Sequence, residues 1–344
     1  MKKTILYLTL SIAIPLIGQN PKYSKIDSII ITGIDQTFMS DFDSAMATFQ
    51  KLVEMFPDHI MGYFYKAATL QSKMMDYETD LWEEEFYRLI EKAIQTGRKQ
   101  IERGDADPWI YFYLGSSISY QGLYQAKSGS LLNGIINSRR GIKYLQKAVE
   151  KDSSLFDAYL GIGSYKYWSG RFYKYLKWLP WIKDERDEGI NMIILSISKG
   201  KFSYWVGINT LAWIQYDRKQ YYNALRLFKK GLTKYPGSRF FLWGVADCYF
   251  RLEKYQKASA WYFNLLSSIR RCKPKSMYNE IVCRLKIVIS EFKLKNYEEA
   301  LSQCNAILRL NIEDKIRKRA FKHLSKAKSY KKKCLEKLES HHKQ

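Results

Sequence analysis

The sequence is poor in proline, with seven residues in 344. Five of the seven fall between segments whose apolar residues have helical spacing, at places where helices begin or end: Pro57, Pro108, Pro180, Pro236 and Pro274. The segments between them carry few helix breakers. This distribution indicates a large chain built mostly from helices.

Histidine and cysteine are also scarce, and their spacing fits neither a metal site nor a redox motif. The four histidines have no metal-ligand spacing joined to acids, and the five cysteines include no C-x-x-C pair. H-E-x-x-H, a nucleophile elbow and a phosphate-binding loop are absent as well. We therefore predict no metal, no cofactor and no enzymatic activity. For Cys248 and Cys304 we expect a buried place on an apolar helix face.

Long apolar runs are missing after the first twenty residues, so nothing later in the sequence has the length of a membrane span. The start itself has Lys2 and Lys3, an uncharged apolar run from Ile5 to Ile17, and then Gly18. This pattern predicts a secretory signal peptide over residues 1–18 and an exported protein of the periplasm or cell envelope, or a secreted one. A retained membrane anchor is the alternative. Residues 19–40 are expected to form a linker.

Acidic residues are too few to balance the basic ones: 57 Lys and Arg face 34 Asp and Glu, for a net charge of +23. Residues 315–344 alone hold twelve Lys and Arg against two Glu. Such a surface attracts acidic proteins, anionic lipid headgroups, envelope polymers or nucleic acid. Export makes nucleic acid an unlikely partner. Solvation of helix faces by the lysines is the alternative explanation of the charge.

A repeated spacing of small and aromatic residues organises the chain between Gln220 and Ile269. Ala224 recurs 34 residues later as Ala258, a period typical of helical-hairpin repeats. Small residues are needed where two antiparallel helices come closest, and aromatic residues fill the space between those points. The offsets between Ala224, Phe228 and Pro236 recur in a distant segment, at Ala45, Phe49 and Pro57.

This spacing resembles the tetratricopeptide repeat. Ala246, Tyr249, Ala258 and Tyr262 match small and aromatic positions of that family, whereas Arg270 stands where its closing proline is expected. Leu114 with Gly115, Gly141 with Ala148, and Leu211 with Ala212 take the same places in other units. The resemblance implies an all-α, right-handed α-solenoid of hairpins over residues 41–312, with a non-repeat insertion near 170–189. Residues 313–344 would form a basic capping helix or tail.

The resemblance also implies that the first helix of each hairpin faces a ligand in a concave groove. Carried over residue by residue, the groove positions are Trp109, Phe112, Tyr167, Asn209, Trp213, Tyr216, Trp243, Asp247 and Phe250. Their aromatic character favours an extended or helical peptide as ligand. The alternative is that these aromatics pack under neighbouring helices.

Two hypotheses for the function follow. In the first, the protein is a non-enzymatic scaffold or adaptor of the cell envelope that binds a protein or peptide in the aromatic groove. In the second, it is a structural envelope protein whose basic C-terminal helix associates with an anionic membrane surface or polymer.

Overall fold

The computed structural model describes residues 21–104, 106–171, 173 and 183–342. The signal segment expected at 1–18 and part of the insertion expected near 170–189 lie outside the described residues. Both remain predictions.

Sixteen helices and no strand occur within the described residues. Their bounds are α1 Pro21–Phe38, α2 Phe42–Met55, α3 Ile60–Tyr77, α4 Glu83–Glu102, α5 Pro108–Lys127, α6 Leu131–Lys151, α7 Phe156–Arg171, α8 Arg186–Lys199, α9 Tyr204–Asp217, α10 Tyr221–Lys234, α11 Arg239–Arg251, α12 Tyr255–Arg270, α13 Met277–Lys293, α14 Tyr297–Leu308, α15 Asp314–Arg319 and α16 Phe321–His342. From α1 to α14 each helix packs against the next, so the chain is a row of helical hairpins. The expected all-α solenoid is confirmed.

Five hairpin turns share one backbone conformation. Each contains a residue other than glycine with positive φ: Ser40, Glu78, Lys219, Glu253 and Lys295. The residue after it donates its N–H to a carbonyl five positions earlier, as Gln220 does to Gln215 at 2.9 Å. This Schellman-type ending satisfies carbonyls that the helix end leaves free and turns the chain sharply. Lys219 and Glu253 are separated by 34 residues, which is the alanine period of the sequence.

Small residues stand where the paired helices come closest, as the sequence predicts. Ala224, Ala246 and Ala258 are fully buried. In the α5–α6 hairpin, a Cβ atom added at Gly115 would lie 2.7 Å from the backbone oxygen of Gly141. No larger residue fits there without moving the helices apart.

The prediction of a linker at residues 19–40 is wrong. Pro21–Phe38 forms helix α1, which packs on α2 as the first helix of the first hairpin. Ile30 is buried on it, and an added Cβ at Gly33 would overlap the ring of Phe49. Gly33 precedes Ala45 by 12 residues, the interval that also separates Ala246 from Ala258. The repeat therefore begins one helix earlier than predicted.

The basic C-terminal segment forms two helices instead of one. Short helix α15 precedes α16, which packs against α13 and α14. Ala320, just before α16, and Ala327 and Cys334 on it form a buried stripe. The apolar face anchors the helix on the last hairpin, and many of its lysines remain exposed.

The first hairpins also contact the last ones, so the solenoid turns back on itself. The ring of Phe38 stacks on Tyr235 at 5.4 Å and on Phe241 at 5.5 Å. The Tyr235 hydroxyl donates to Asp35 of α1 at 2.6 Å. Ser276 donates its hydroxyl to the carbonyl of Tyr77 at 2.6 Å. These contacts join α1 and α3 to the region from α10 to α13.

Candidate partner-binding surface

Five of the nine predicted groove residues come together on α9 and α11, which contact each other as first helices of neighbouring hairpins. We call this set the α9–α11 cluster: Trp213, Tyr216, Trp243, Asp247 and Phe250. All five side chains are half-buried. A half-buried aromatic packs in a fixed position and still offers part of its surface to a partner.

The buried Tyr262 of α12 supports the cluster from below. Its ring makes edge contacts with Trp243 at 6.4 Å and with Phe250 at 6.2 Å between centroids. Its hydroxyl donates a short hydrogen bond to Asp247. Burial, and then the Asp247 carboxylate, raise the pKa of Tyr262, so this hydroxyl stays protonated and remains a donor.

Cations fix the remaining polar groups of the cluster. Lys286 of α13 places Nζ 3.2 Å from Asp247 Oδ1 and 4.2 Å from the ring centre of Phe250. Arg251 donates from Nε to the Tyr216 hydroxyl at 3.0 Å. Cation–π and charge-assisted contacts of this kind hold the side chains in one arrangement. Lys286 is not predictable from the sequence, because no local pattern brings α13 against α11.

Trp109 and Phe112 belong to a separate group in the N-terminal half. Trp109 packs edge-on against Phe112 at 5.3 Å and against Phe202 at 5.6 Å. Phe112 in turn contacts Phe64 of α3 at 6.3 Å. These two residues pack on the core of the N-terminal half, as the alternative reading of the aromatics expects. Whether they also bind a ligand stays a prediction.

Tyr167 does not face a groove, contrary to the expectation. Its side chain has 0% exposure and its hydroxyl donates to Asp217 at 2.8 Å. Burial, followed by the hydrogen bond with Asp217, raises the pKa of Tyr167. The residue joins α7 to the end of α9. It takes a core position because its ring packs in one buried cluster with Ile190, Ile193 and Ile214.

Asn209 lies half-buried on α9, four residues before Trp213. Its Oδ1 atom is buried and accepts no hydrogen bond from the described residues. A buried amide oxygen without a donor is costly. Whether Asn209 binds a partner stays a prediction.

A cavity of about 350 Å³ opens beside Phe250, between α11, α13 and α16. It is lined by Phe250, Arg251, Val282, Leu285, Lys286, Ile289, Lys322, His323 and Lys326. Three of these residues come from α16, which the sequence predicts only as a charged cap. The regular spacing of three buried residues, Ala320 just before that helix and Ala327 and Cys334 on it, is the signal that it packs against the repeats.

Within the described part of the chain, no three His, Cys, Asp or Glu side chains are grouped to hold a metal ion. None of the described helices combines the length and the apolar character needed to cross a bilayer.

No family model matches the sequence, and no curated protein does either. Among solved structures, the Cut9-Hcn1 hetero-tetramer of the APC/C is similar over 87% of this chain and 53% of the matched chain, with 14% identity and a TM-score of 0.51. The chain thus spans about half the length of that relative.

Two weaker similarities were found as well. The C-terminal part of a TPR repeat-containing protein from Cytophaga hutchinsonii matches 83% of this chain and 97% of its own length, at 18% identity and a TM-score of 0.43. Yeast Tom70 matches 92% of this chain and 90% of its own length, at 10% identity and a TM-score of 0.37. Sequential hairpins, the period of 34 residues and the similarity to the Cut9-Hcn1 structure show that this chain has the tetratricopeptide-repeat fold.

Proposed function

We propose that this protein is a non-enzymatic scaffold of the cell envelope that binds a protein or peptide partner through the α9–α11 cluster. The observation that carries the proposal is the convergence of Trp213, Tyr216, Trp243, Asp247 and Phe250 on one half-buried surface. Tryptophan, tyrosine and a few fixed polar groups supply most of the binding energy in protein interfaces. The support from Tyr262 and Lys286 reduces the side-chain entropy lost on binding.

The basic start and short apolar run of residues 1–18 support export. A sharp check is the N-terminus of the mature protein isolated from cells. Cleavage after Gly18 gives a protein that begins with Gln19. A retained Met1 in the membrane fraction would instead favour an anchor.

The double variant Trp213→Ala/Trp243→Ala tests the binding surface. We expect it to lose partners that the wild-type chain captures from envelope extracts, while its helical circular dichroism stays unchanged. The matched control is Trp168→Ala/Tyr222→Ala, which removes two exposed aromatics outside the cluster. Loss of helical signal in the first variant would show that the tryptophans are core residues. Equal capture by all three proteins would refute the proposed surface.

The exposed lysines of α16 favour a second function, association with an anionic membrane surface or polymer. Removing the whole helix would uncover its buried stripe, so substitution is the better test. Lys328, Lys332 and Lys337 are exposed, and changing them to Gln keeps the apolar face intact. Association with the membrane fraction that survives these changes and high salt would refute this electrostatic function.

A further inference from the structure

The cavity beside Phe250 combines an apolar wall with a basic rim. Leu285 and Ile289 of α13 are buried behind it, and Phe250 of α11 forms its side. Lys322 and Lys326 of α16 stand on the opposite side, on successive turns of the helix. The mouth therefore offers apolar surface and positive charge within one recess.

The positions of Lys322 and Lys326 on the rim of the cavity do not stabilise helix α16. Like charges four residues apart on a helix destabilise it. In the described part of the chain neither Lys322 nor Lys326 forms an ion pair, and Asp247 is the carboxylate that Lys286 contacts. The rim thus carries more positive charge than the nearby acidic groups neutralise.

His323 lines the cavity, and its pKa is affected by the same positive charge. Burial lowers its pKa, and Lys326 and Lys286 lower it further. Its Nδ1 atom is buried and makes no hydrogen bond to the described residues. His323 therefore adds no charge to the rim at neutral pH, and the attraction for an anionic group rests on Lys286, Lys322 and Lys326.

We propose that this cavity binds an acidic segment of the partner protein, with one apolar side chain against Phe250, Leu285 and Ile289 and carboxylates on Lys286, Lys322 and Lys326. The inference rests on the proposed function and names the chemistry of the partner. Phe250 belongs both to the cavity and to the α9–α11 cluster, so a single extended segment can occupy the two. The apolar wall lies in a recess between helices, which favours a peptide side chain over a flat lipid surface.

The apolar contact and the lysine contacts contribute differently to binding of the segment. Burial of the apolar side chain supplies most of the affinity. The lysines select for negative charge and accelerate association, an effect that salt weakens.

The test uses the full chain and fluorescent peptides of equal length, with binding followed by anisotropy at low and at physiological salt. The first peptide alternates Glu and Leu, the second alternates Lys and Leu, and the third alternates Glu and Ser. Vesicles of anionic phospholipid form a fourth probe. We expect the Glu/Leu peptide to bind best, and the loss of either its charge or its apolar residues to weaken binding about tenfold or more.

Charge reversal locates the site. Lys322→Glu/Lys326→Glu should weaken binding of the Glu/Leu peptide about tenfold or more, because it replaces two attractive contacts by repulsive ones. The control Lys328→Glu/Lys332→Glu makes the same change of charge at the same spacing on another face of α16. It should weaken binding less than threefold at physiological salt. Circular dichroism checks both proteins, and Lys322→Gln/Lys326→Gln replaces the first variant if that one is unfolded.

Equal loss in the two double variants would overturn the proposal, because general electrostatics would then explain binding. Vesicle binding that depends on Lys322 and Lys326, without peptide binding, would assign the cavity to lipid headgroups and also overturn it. Failure of the cavity proposal can be distinguished from failure of the proposed scaffold function. If only the cavity proposal fails, the Lys322→Glu/Lys326→Glu protein captures partners through Trp213 and Trp243 as the wild type does. If the scaffold function fails, the wild-type chain itself captures no partner that depends on Trp213 and Trp243.

Discussion

Arg239 at the start of α11 forms a buried ion pair with Asp76 at the end of α3, across 163 residues of sequence. Its Nε atom donates to both carboxylate oxygens of Asp76, at 3.0 and 2.8 Å. Burial raises the pKa of Asp76, and the guanidinium of Arg239 opposes that shift. The backbone carbonyl of Asp76 also accepts from Asn279 at 2.7 Å. One residue of the N-terminal hairpins thus connects α11 and α13.

Asp76→Ala should lower the free energy of unfolding by about 3–5 kcal/mol, because it leaves the Arg239 guanidinium buried without a counter-charge. Chemical denaturation followed by circular dichroism measures the change. The control is Asp187→Ala, which removes an exposed pair with Arg218 and should cost less than about 1 kcal/mol. Similar values for the two variants would mean that the buried pair does not hold the closed arrangement.

The repeat architecture follows from local spacing, and the closure of the solenoid does not. Ala224 and Ala258 predict the hairpins because every unit needs small residues at the same contact points. The missed helix α1 obeys the same rule through Gly33 and Ala45, and a search for the interval of 12 residues would have found it. Nothing near Asp76 in the sequence indicates Arg239, since their contact depends on the summed twist of all the intervening repeats.

For the candidate surface, too, the sequence spacing predicts some of the residues and misplaces others. Periodicity placed Trp213, Trp243 and Phe250 on first helices, and the structure brings them together. It placed Tyr167 there too, although that side chain is buried against Asp217. Spacing tells which helix a residue occupies, whereas burial depends on how the neighbouring hairpin packs over it.

The close approach of α5 and α6 gives a second prediction. Gly115→Ala would place a Cβ atom 2.7 Å from the Gly141 oxygen and 2.8 Å from the Leu145 nitrogen. Both atoms belong to the backbone, so the helices must separate. We expect a loss of stability of about 1–3 kcal/mol, visible as a lower midpoint in thermal unfolding.

Gly237 provides the control, because an added Cβ there meets nothing within 4 Å. Gly237→Ala should leave the midpoint unchanged or raise it slightly, since alanine lowers the entropy of the unfolded chain. Loss of stability at Gly237 and none at Gly115 would contradict the assigned helix contact.

His59 makes stability depend on pH. Its Nδ1 atom accepts the N–H of Met61 at 3.1 Å and so caps helix α3. Burial lowers the pKa of His59 from 6.5, an effect that nearby Asp107 opposes. The unfolded chain therefore binds this proton more readily than the folded chain. The stabilisation is complete above pH 6.5 and is lost as the pH falls through the lower folded-state pKa.

His59→Asn should flatten this dependence. Asparagine also caps helices through a side-chain oxygen and does not titrate. At pH 7.5 the variant is expected within about 1 kcal/mol of the wild type. Between pH 7 and 5 the wild type should lose stability faster than the variant in parallel urea titrations. His323 titrates in both proteins, so the difference isolates His59. Parallel curves would show that protonation of His59 is not linked to folding.

The five cysteines should be unreactive in the folded protein and reactive once it unfolds. All five are buried and free. Burial raises the pKa of Cys248 to about 12, with Asp247 adding to the shift, and burial raises that of Cys304 to about 12 as well, with a further contribution from Cys334. A thiol with a pKa near 12 is only about one part in ten thousand thiolate at pH 8, and the thiolate is the reactive form. Reaction with a chromogenic disulfide reagent should therefore be very slow in native buffer and should release five equivalents in denaturant.

Alkylation before and after reduction, followed by measurement of the intact mass, gives the second readout. Five alkylated thiols in both samples support the free state, even for protein isolated from an oxidising compartment. A mass that shows fewer alkylated thiols before reduction would mean that a disulfide forms and that the packing of α12 to α16 differs from the one described.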